Sequence, residues 1–260
     1  MKLWIISAIG IKECFRRRIL YGMFLTAGLF IFLVRGCDSG TVRGERLLLD
    51  AEARASIAVS IAFHGIALWS FVLCSVLSMS VLARELDNGT ALLTLSRPIR
   101  HGEFVAGKLL SAFIVSIMHL ATLAIMLLVF VPAPHRWKIV LGTVFLVPAL
   151  MLCTLMTSVF SLITPRVIAP LLAMMVYGTS CWAALPYYFD KLRLIWTPSP
   201  AITRAYQFLP CFGDLQFIGA AVVRGASFGE HLTGTVLNTI VYCVGLWIVN
   251  VILFSRRQRS

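Results

Sequence analysis

The apolar residues of this chain come in blocks of about 20, the length of helix that crosses the hydrocarbon core of a bilayer. Six blocks stand out: Ile19–Val34, Ile57–Ala83, Leu109–Val131, Ile139–Ile163, Val167–Phe189 and Leu232–Phe254. The chain is 59% hydrophobic and only 13% charged over its 260 residues, against about 25% charged in an ordinary soluble domain. A domain of this size must still present a wet face, and there is not enough polar residue to build one. The short alternating segments of a β-barrel are not seen. The expectation is an all-α membrane protein, one transmembrane domain over residues 1–260 with six transmembrane helices. The first span is short, but Arg16, Arg17, Arg18 and Arg35 can snorkel at its ends. The second is expected to start early, as an extramembrane helix from Glu45. Arg46/Asp50 and Asp50/Arg54 are i,i+4 pairs that support it.

The net charge is +12, with 23 Lys and Arg against 11 Asp and Glu. In a soluble protein this would suggest nucleic acid; among membrane spans it reads as orientation by the positive-inside bias, with no nucleic-acid partner. Six spans put both termini on one side. That side carries Lys2, Lys12, Arg16, Arg17, Arg18, Arg84, Arg97, Arg100, Lys108, Arg166, Arg256, Arg257 and Arg259, which is 13 of the 23. The tight clusters at 16–18 and 256–259 make it the cytoplasmic side, and the expected location is the cell (inner) membrane. The basic cluster at 16–18 follows an apolar stretch, which is the wrong order for a signal peptide. Residues 3–18 read instead as an N-terminal amphipathic interfacial helix. Trp4, Ala8, Ile11 and Phe15 form its stripe, which Ile6 and Ile9 interrupt.

Seven scattered cysteines, mostly inside apolar spans, behave as small hydrophobes and suggest no metal site. Cys37 and Cys211 are the two that this topology places in external loops, where a disulfide is chemically possible. No Asp, Glu, Lys or Arg lies inside the six spans, which weakens a proton-coupled carrier. His64 and His119 are the span histidines and read as packed polar residues. Catalytic motifs are missing, so no enzyme activity and no catalytic residues are expected. Gly102 to Lys108, GEFVAGK, has the spacing of a phosphate-binding loop, but Leu109 stands where a Ser or Thr must hold magnesium, and no strand precedes it.

The most informative segment joins spans 2 and 3, RELDNGTALLTLSRPIRHGEFVAGK over residues 84–108. Asp87-Asn88-Gly89 is turn chemistry, and Gly89 suits the positive φ of a helix C-terminus. Thr90 is a candidate N-cap, and Ala91 to Leu95 make a short helix that Pro98 stops. Leu92, Leu93 and Leu95 then need either a protein groove or the lipid headgroup layer; physics alone leaves the two open.

This stretch resembles the hallmark of the type-2 ABC exporter permeases. In that family a glutamate and a Gly-Thr pair follow the second span. A leucine-bearing coupling helix, a proline, an arginine and a Gly-Lys lead into the third. Here these are Glu85, Gly89-Thr90, Leu92 to Leu95, Pro98, Arg100 and Gly107-Lys108. More loosely, AIGIKECFRRR at 8–18, with Ile11, Phe15, Arg16, Arg17 and Arg18, is similar to the family's connecting helix. AYQFLPCFGDL at 205–215 is similar to a Leu-Pro-centred segment of the fifth external loop.

The resemblance implies a membrane-spanning permease subunit of an ABC transporter, exporting an unidentified substrate. It implies short re-entrant helices after the fifth span, although the mixed character of 190–231 does not display them. It also implies two partners: an ABC ATPase (nucleotide-binding) subunit, docked on the cytoplasmic coupling helix, and a second permease subunit. ATP and magnesium would sit on the ATPase subunit, with no cofactor in this chain. The competing readings are a secondary transporter or channel not coupled to ATP, and a structural membrane subunit of another complex.

Overall fold

The computed structural model describes residues 2–15, 21, 24, 25, 28, 29, 51–83, 85, 100–131, 133–188, 208–225 and 229–259. Among them are seven helices: α1 Lys2–Phe15, α2 Ala51–Ser78, α3 His101–Phe130, α4 Ala133–Ile163, α5 Ile168–Tyr188, α6 Phe212–Arg224 and α7 Gly229–Arg259. Five of them, α2, α3, α4, α5 and α7, are long and apolar enough to cross a bilayer. They coincide with the second to sixth expected spans. The first span, Ile19–Val34, and the helix expected from Glu45 to Asp50 fall mostly or wholly outside the described residues.

Helix and span are not the same length, and the difference matters. The 30 residues of α3 extend about 45 Å, against about 30 Å of hydrocarbon. Its first two turns, His101 to Lys108, therefore have room to stand outside the apolar layer. The sequence GEFVAGK is helical throughout.

The central core is built where α2, α4, α5 and α6 meet. Phe71 and Tyr177 stack at 4.3 Å between ring centroids, and Phe71 meets Phe212 edge-on at 5.8 Å. The short helix α6, inside the expected fifth external loop, is buried from Phe212 to Val223 without a break. It packs chiefly on α4, with α5 and α2 on its other sides. A helix can lie that close only if the contact residues are small. Gly142 and Gly219 provide this: a Cβ on either would stand 2.8 Å from the other's carbonyl oxygen. Polar groups anchor the same helix. The Ser180 hydroxyl of α5 donates to Pro210 O at 2.8 Å and accepts from Gly213 N at 3.0 Å. It thereby serves a first-turn N–H that Cys211, at the N-cap position, leaves unsatisfied. Gln216 accepts from Tyr177 at 2.5 Å and from Cys181 at 3.2 Å. α6 ends on Gly225 at φ 77°, in the left-handed region. Among the described residues of the stretch 190–231 there is thus one complete helix, α6, buried against α4 and α5.

Two ends of the bundle are distinguished by what caps the helices. Each helix leaves carbonyls near its C-terminus without intrahelical donors, and cations take several of them. Arg166 donates to Ala83 O at 3.3 Å and Arg257 to Leu162 O at 3.1 Å. These bonds bring the exit of α2, the α4–α5 turn and the end of α7 together at one end, with the three-charge cluster described below. At the other end Arg136 donates to Val131 O at 3.2 Å, past the end of α3. Lys138 Nζ lies 3.0 Å from where a Cβ of residue 225 would stand, at the C-terminus of α6. A cation at a helix C-terminus is favoured by about 0.3–1 kcal/mol, and both ends of the bundle use it.

α7 is the most loosely held span, mostly exposed on the bundle surface. Asn250 fixes it to α4, donating at 2.9 Å both to Leu155 O and to Leu246 O of its own helix. Phe104 and Phe254 pack at 5.5 Å and hold its end against the start of α3.

Candidate functional site

The site is the root of the segment between α2 and α3. The end of α2 is loosened by its own serines. Ser75 and Ser78 donate to Phe71 O and Cys74 O, both at 2.7 Å, and Ser80 donates to Leu77 O at 3.2 Å. Back-bonding of this kind competes with the helix ladder. Regular helix stops at Ser78, and the chain tightens to an i→i+3 bond from Val81 N to Ser78 O at 3.3 Å. It is helical again at Ala83 and Glu85.

Glu85 then meets Lys108. The Lys108 ammonium donates to Glu85 Oε1 at 2.5 Å and to Glu13 Oε2 at 3.3 Å. Its side chain is 9% exposed, against 13% for Glu85 and 40% for Glu13. One buried cation thus joins α1, the exit of α2 and the second turn of α3. A buried ion pair is a weak source of net stability, since desolvation offsets much of the attraction, but losing one partner strands the others. Here loss of the lysine would leave two carboxylates facing one another.

α1 is laid against this site by a face of small residues. Ile6, Ser7, Gly10 and Cys14 are buried against α3, and a Cβ on Gly10 would stand 2.4 Å from Ser111 Oγ. A cavity of about 10 Å³ between Gly10, Glu13, Cys14, Val81, Lys108 and Ser111 is at the lower limit for one water. The outward face carries Trp4, Ile5, Ala8 and Ile9, followed by Lys12. Ile6 and Ile9, interruptions of the stripe in the sequence, have separate places, one inward and one outward. Trp4 and Ala8 of that stripe are exposed, while Ile11 and Phe15 are half-buried against a cluster of Leu73, Leu77, Val81, Ala112 and Val115.

The far side of the segment is as well defined. Arg100 is the N-cap of α3, with φ −74° and ψ 144°. Its N–H donates to Glu103 Oε2 at 3.3 Å, and its carbonyl accepts from Glu103 N and Phe104 N. This is half of a capping box; an arginine side chain has no acceptor for the other half.

The family model for ABC-2 family transporter proteins matches residues 16–257. The chain belongs to the ABC-2 transporter family. As a membrane domain of that family it is a multi-pass component of an ABC transporter, working with an ATPase subunit. No curated protein matches the chain. In Gly102–Lys108 the residues are α-helical and the lysine is committed to two carboxylates.

Of the residues the sequence singled out, Glu85 and Arg100 lie at the two edges of the segment, and Ile11 and Phe15 lie on α1 beside it. Gly89, Thr90, Leu92, Leu93, Leu95 and Pro98 fall outside the described residues, as do Arg16, Arg17 and Arg18. Glu13 and Lys108 complete the site but were not among the expected interface residues. Lys108 appeared in the charge count, in the phosphate-loop spacing and in the Gly-Lys motif, and Glu13 only within the stretch AIGIKECFRRR. Their partnership joins positions 95 residues apart, beyond the reach of any local pattern. Cys211 is a free thiol, and Cys37 lies outside the described residues.

Proposed function

We propose that this chain is the permease subunit of an ABC exporter, and that the segment between Glu85 and Arg100 is its cytoplasmic coupling element. The observation that carries the reading is the Lys108 cluster. A push on the segment from an ATPase subunit acts first on Glu85. Through Lys108 it reaches the start of α3, and through Glu13 it reaches α1. The Lys108–Glu85 pair is largely buried, and a buried pair transmits displacement where a solvated loop root would absorb it. Leu92, Leu93 and Leu95 insert into a groove of the ATPase subunit, and Ile11 and Phe15, with Arg16, Arg17 and Arg18 beyond them, form the connecting helix alongside. ATP and magnesium are held by the partner. ATP-driven closure of two ATPase subunits favours one arrangement of two paired permease domains over another, a population shift driven by differential contacts. Both termini face the cytoplasm, in the inner membrane, and the substrate leaves the cell.

The test separates assembly from coupling. Glu85→Gln keeps shape and removes the charge. It should leave co-purification of the ATPase subunit intact and reduce the stimulation of ATP turnover by transport in reconstituted membranes. Equal coupling in Glu85→Gln and the native chain would remove the transmitting role from the cluster.

A further inference from the structure

We infer that α1 dips into the bilayer beside α3 instead of lying flat on it, and that lipid acyl chains cover its outward face of Trp4, Ile5, Ala8 and Ile9. Two contacts fix its direction. Glu13 meets Lys108 at 3.3 Å. A Cβ on Gly10, three residues earlier, would meet the side chain of Ser111, three residues later. Going back along α1 is therefore going forward along α3. One turn further back, Ile6 and Ser7 are still buried. α1 has 14 residues, yet its contact with α3 is more extensive than that of α2 or α4. Only a helix laid along its partner achieves this, since a wide crossing confines contact to the crossing point. Ser7, Gly10 and Cys14 are the small residues that let two helices close at a crossing of about 40°.

From Lys108, α3 leads into the bilayer. The described residues of the first span follow it in that sense: Phe24 packs on His119 at 4.5 Å, and Gly28 lies by Met126. The Trp4 end of α1 is therefore its deeper end. From Glu13 to Trp4 is about 14 Å of helix. A tilt of about 40° leaves about 10 Å of depth, within a hydrocarbon layer of about 30 Å. The charge pattern of α1 agrees. A helix lying in the interface keeps a polar face along its whole length. In α1 the division runs along the axis instead. Leu3 to Ile11 contain no charged residue, and their one hydroxyl, Ser7, is buried. Lys12 and Glu13 follow at the level of Lys108, and Lys2, beyond the apolar run, has a stem that can snorkel. Trp4, Ile5 and Ile9 are 68%, 57% and 61% exposed, and at this depth such a face meets acyl chains. α1 precedes residues 16–257, which match the family model. The inference needs only the membrane location and stands whether or not the ATP-coupling reading is correct.

Tryptophan depth tests it. Ile5→Trp and Lys12→Trp are made one at a time in the Trp4→Phe protein. Both positions are exposed and, seven residues apart, share one face of the helix. Each protein is reconstituted in phosphatidylcholine vesicles whose lipid is brominated either near the top or near the middle of its acyl chains. The signal is the fluorescence gained over Trp4→Phe alone. Position 5 should lie deeper than position 12 by about 8 Å, with mid-chain bromines the stronger quencher at position 5 and top-chain bromines at position 12. Native Trp4, read as the component lost in Trp4→Phe, should behave as position 5, and this reading needs no added tryptophan. Equal depths at positions 5 and 12 would mean a helix flat in the interface and would overturn the inference. A Trp4 signal that no brominated lipid quenches would mean that a protein partner or a second copy covers the face, and would overturn it equally.

Discussion

The Lys108 ammonium lies 2.5 Å from the Glu85 carboxylate, and this pair joins the point where the chain leaves α2 to the second turn of the helix that receives it. Replacing Lys108 by Ala leaves Glu85 and Glu13 facing each other in a largely buried site. The loss of stability should be about 3 kcal/mol, at the lower end for a broken buried pair because Glu13 is part-exposed. Removing Glu85 as well should restore part of it, since the two changes share one interaction. Unfolding of the purified protein in detergent, followed by helicity, measures both. A Lys108→Ala protein as stable as the native one would deny the cluster a structural role.

The buried helix α6 depends on close approach. Gly219→Ala places a Cβ 2.8 Å from Gly142 O and 2.9 Å from the Phe63 ring. Backbone cannot move aside cheaply, so the expected cost is about 1–3 kcal/mol. A Cβ added at Gly178 would meet nothing within 4 Å, so Gly178→Ala should be neutral or raise stability by up to about 1 kcal/mol through helix propensity. Thermal unfolding of the two variants side by side gives the comparison. Equal losses in both would mean that the α4–α6 contact is looser than described.

How much of this was legible beforehand follows from the range of each signal. The second to sixth spans were readable because a bilayer demands a long apolar run and little else. The expected third span begins at Leu109, eight residues into α3, because apolarity marks the hydrocarbon and not the helix: His101 to Lys108 are helical but partly polar. The helix α6 was hidden for the opposite reason. Asp214, Gln216 and two glycines dilute its apolarity, and they are tolerated because α4 and α5 supply partners and space. The face of α1 that packs on α3 is hard to read in the sequence because its residues are small. Ser7, Gly10 and Cys14 carry little hydrophobic signal, yet close packing selects them. Glu85 and Arg100 came from the resemblance. Glu13 was beyond it, since only the fold brings residue 13 to residue 108.

Cys211 should be a slow thiol. Burial raises its pKa to about 12, with the Asp214 carboxylate adding to the effect. A raised pKa keeps the neutral form, so at pH 8 the thiolate fraction is on the order of one in 10⁴, about 10³ below that of an ordinary thiol near 9. Maleimide labelling of a variant that retains Cys211 as its sole cysteine should be correspondingly slow and should accelerate in Asp214→Asn. Labelling at the rate of a free thiol would contradict the buried setting at the start of α6.

Orientation has its own test. Ser7 is buried against α3, so Ala8, exposed on the outer face of α1, is the better probe. Single cysteines at Ala8 and Ser260 should stay unlabelled by a membrane-impermeant maleimide in intact cells. Cysteines at Ser39 and Ser227 should react. The reverse pattern would put the basic end outside.

The central claim is that the segment rooted at Glu85 and Arg100 docks on an ATPase subunit. Burying one leucine side chain is worth roughly 1.5–3 kcal/mol. Replacing Leu92 and Leu93 together by Asp should therefore weaken that partner's binding by at least about 10²-fold, while membrane insertion is unchanged because the segment lies outside every span. The measurement is co-purification of the ATPase subunit with the double variant from detergent-solubilised membranes, at equal permease recovery. The account predicts loss of the ATPase subunit. Undiminished co-purification, with normal transport-linked ATP turnover, would contradict it.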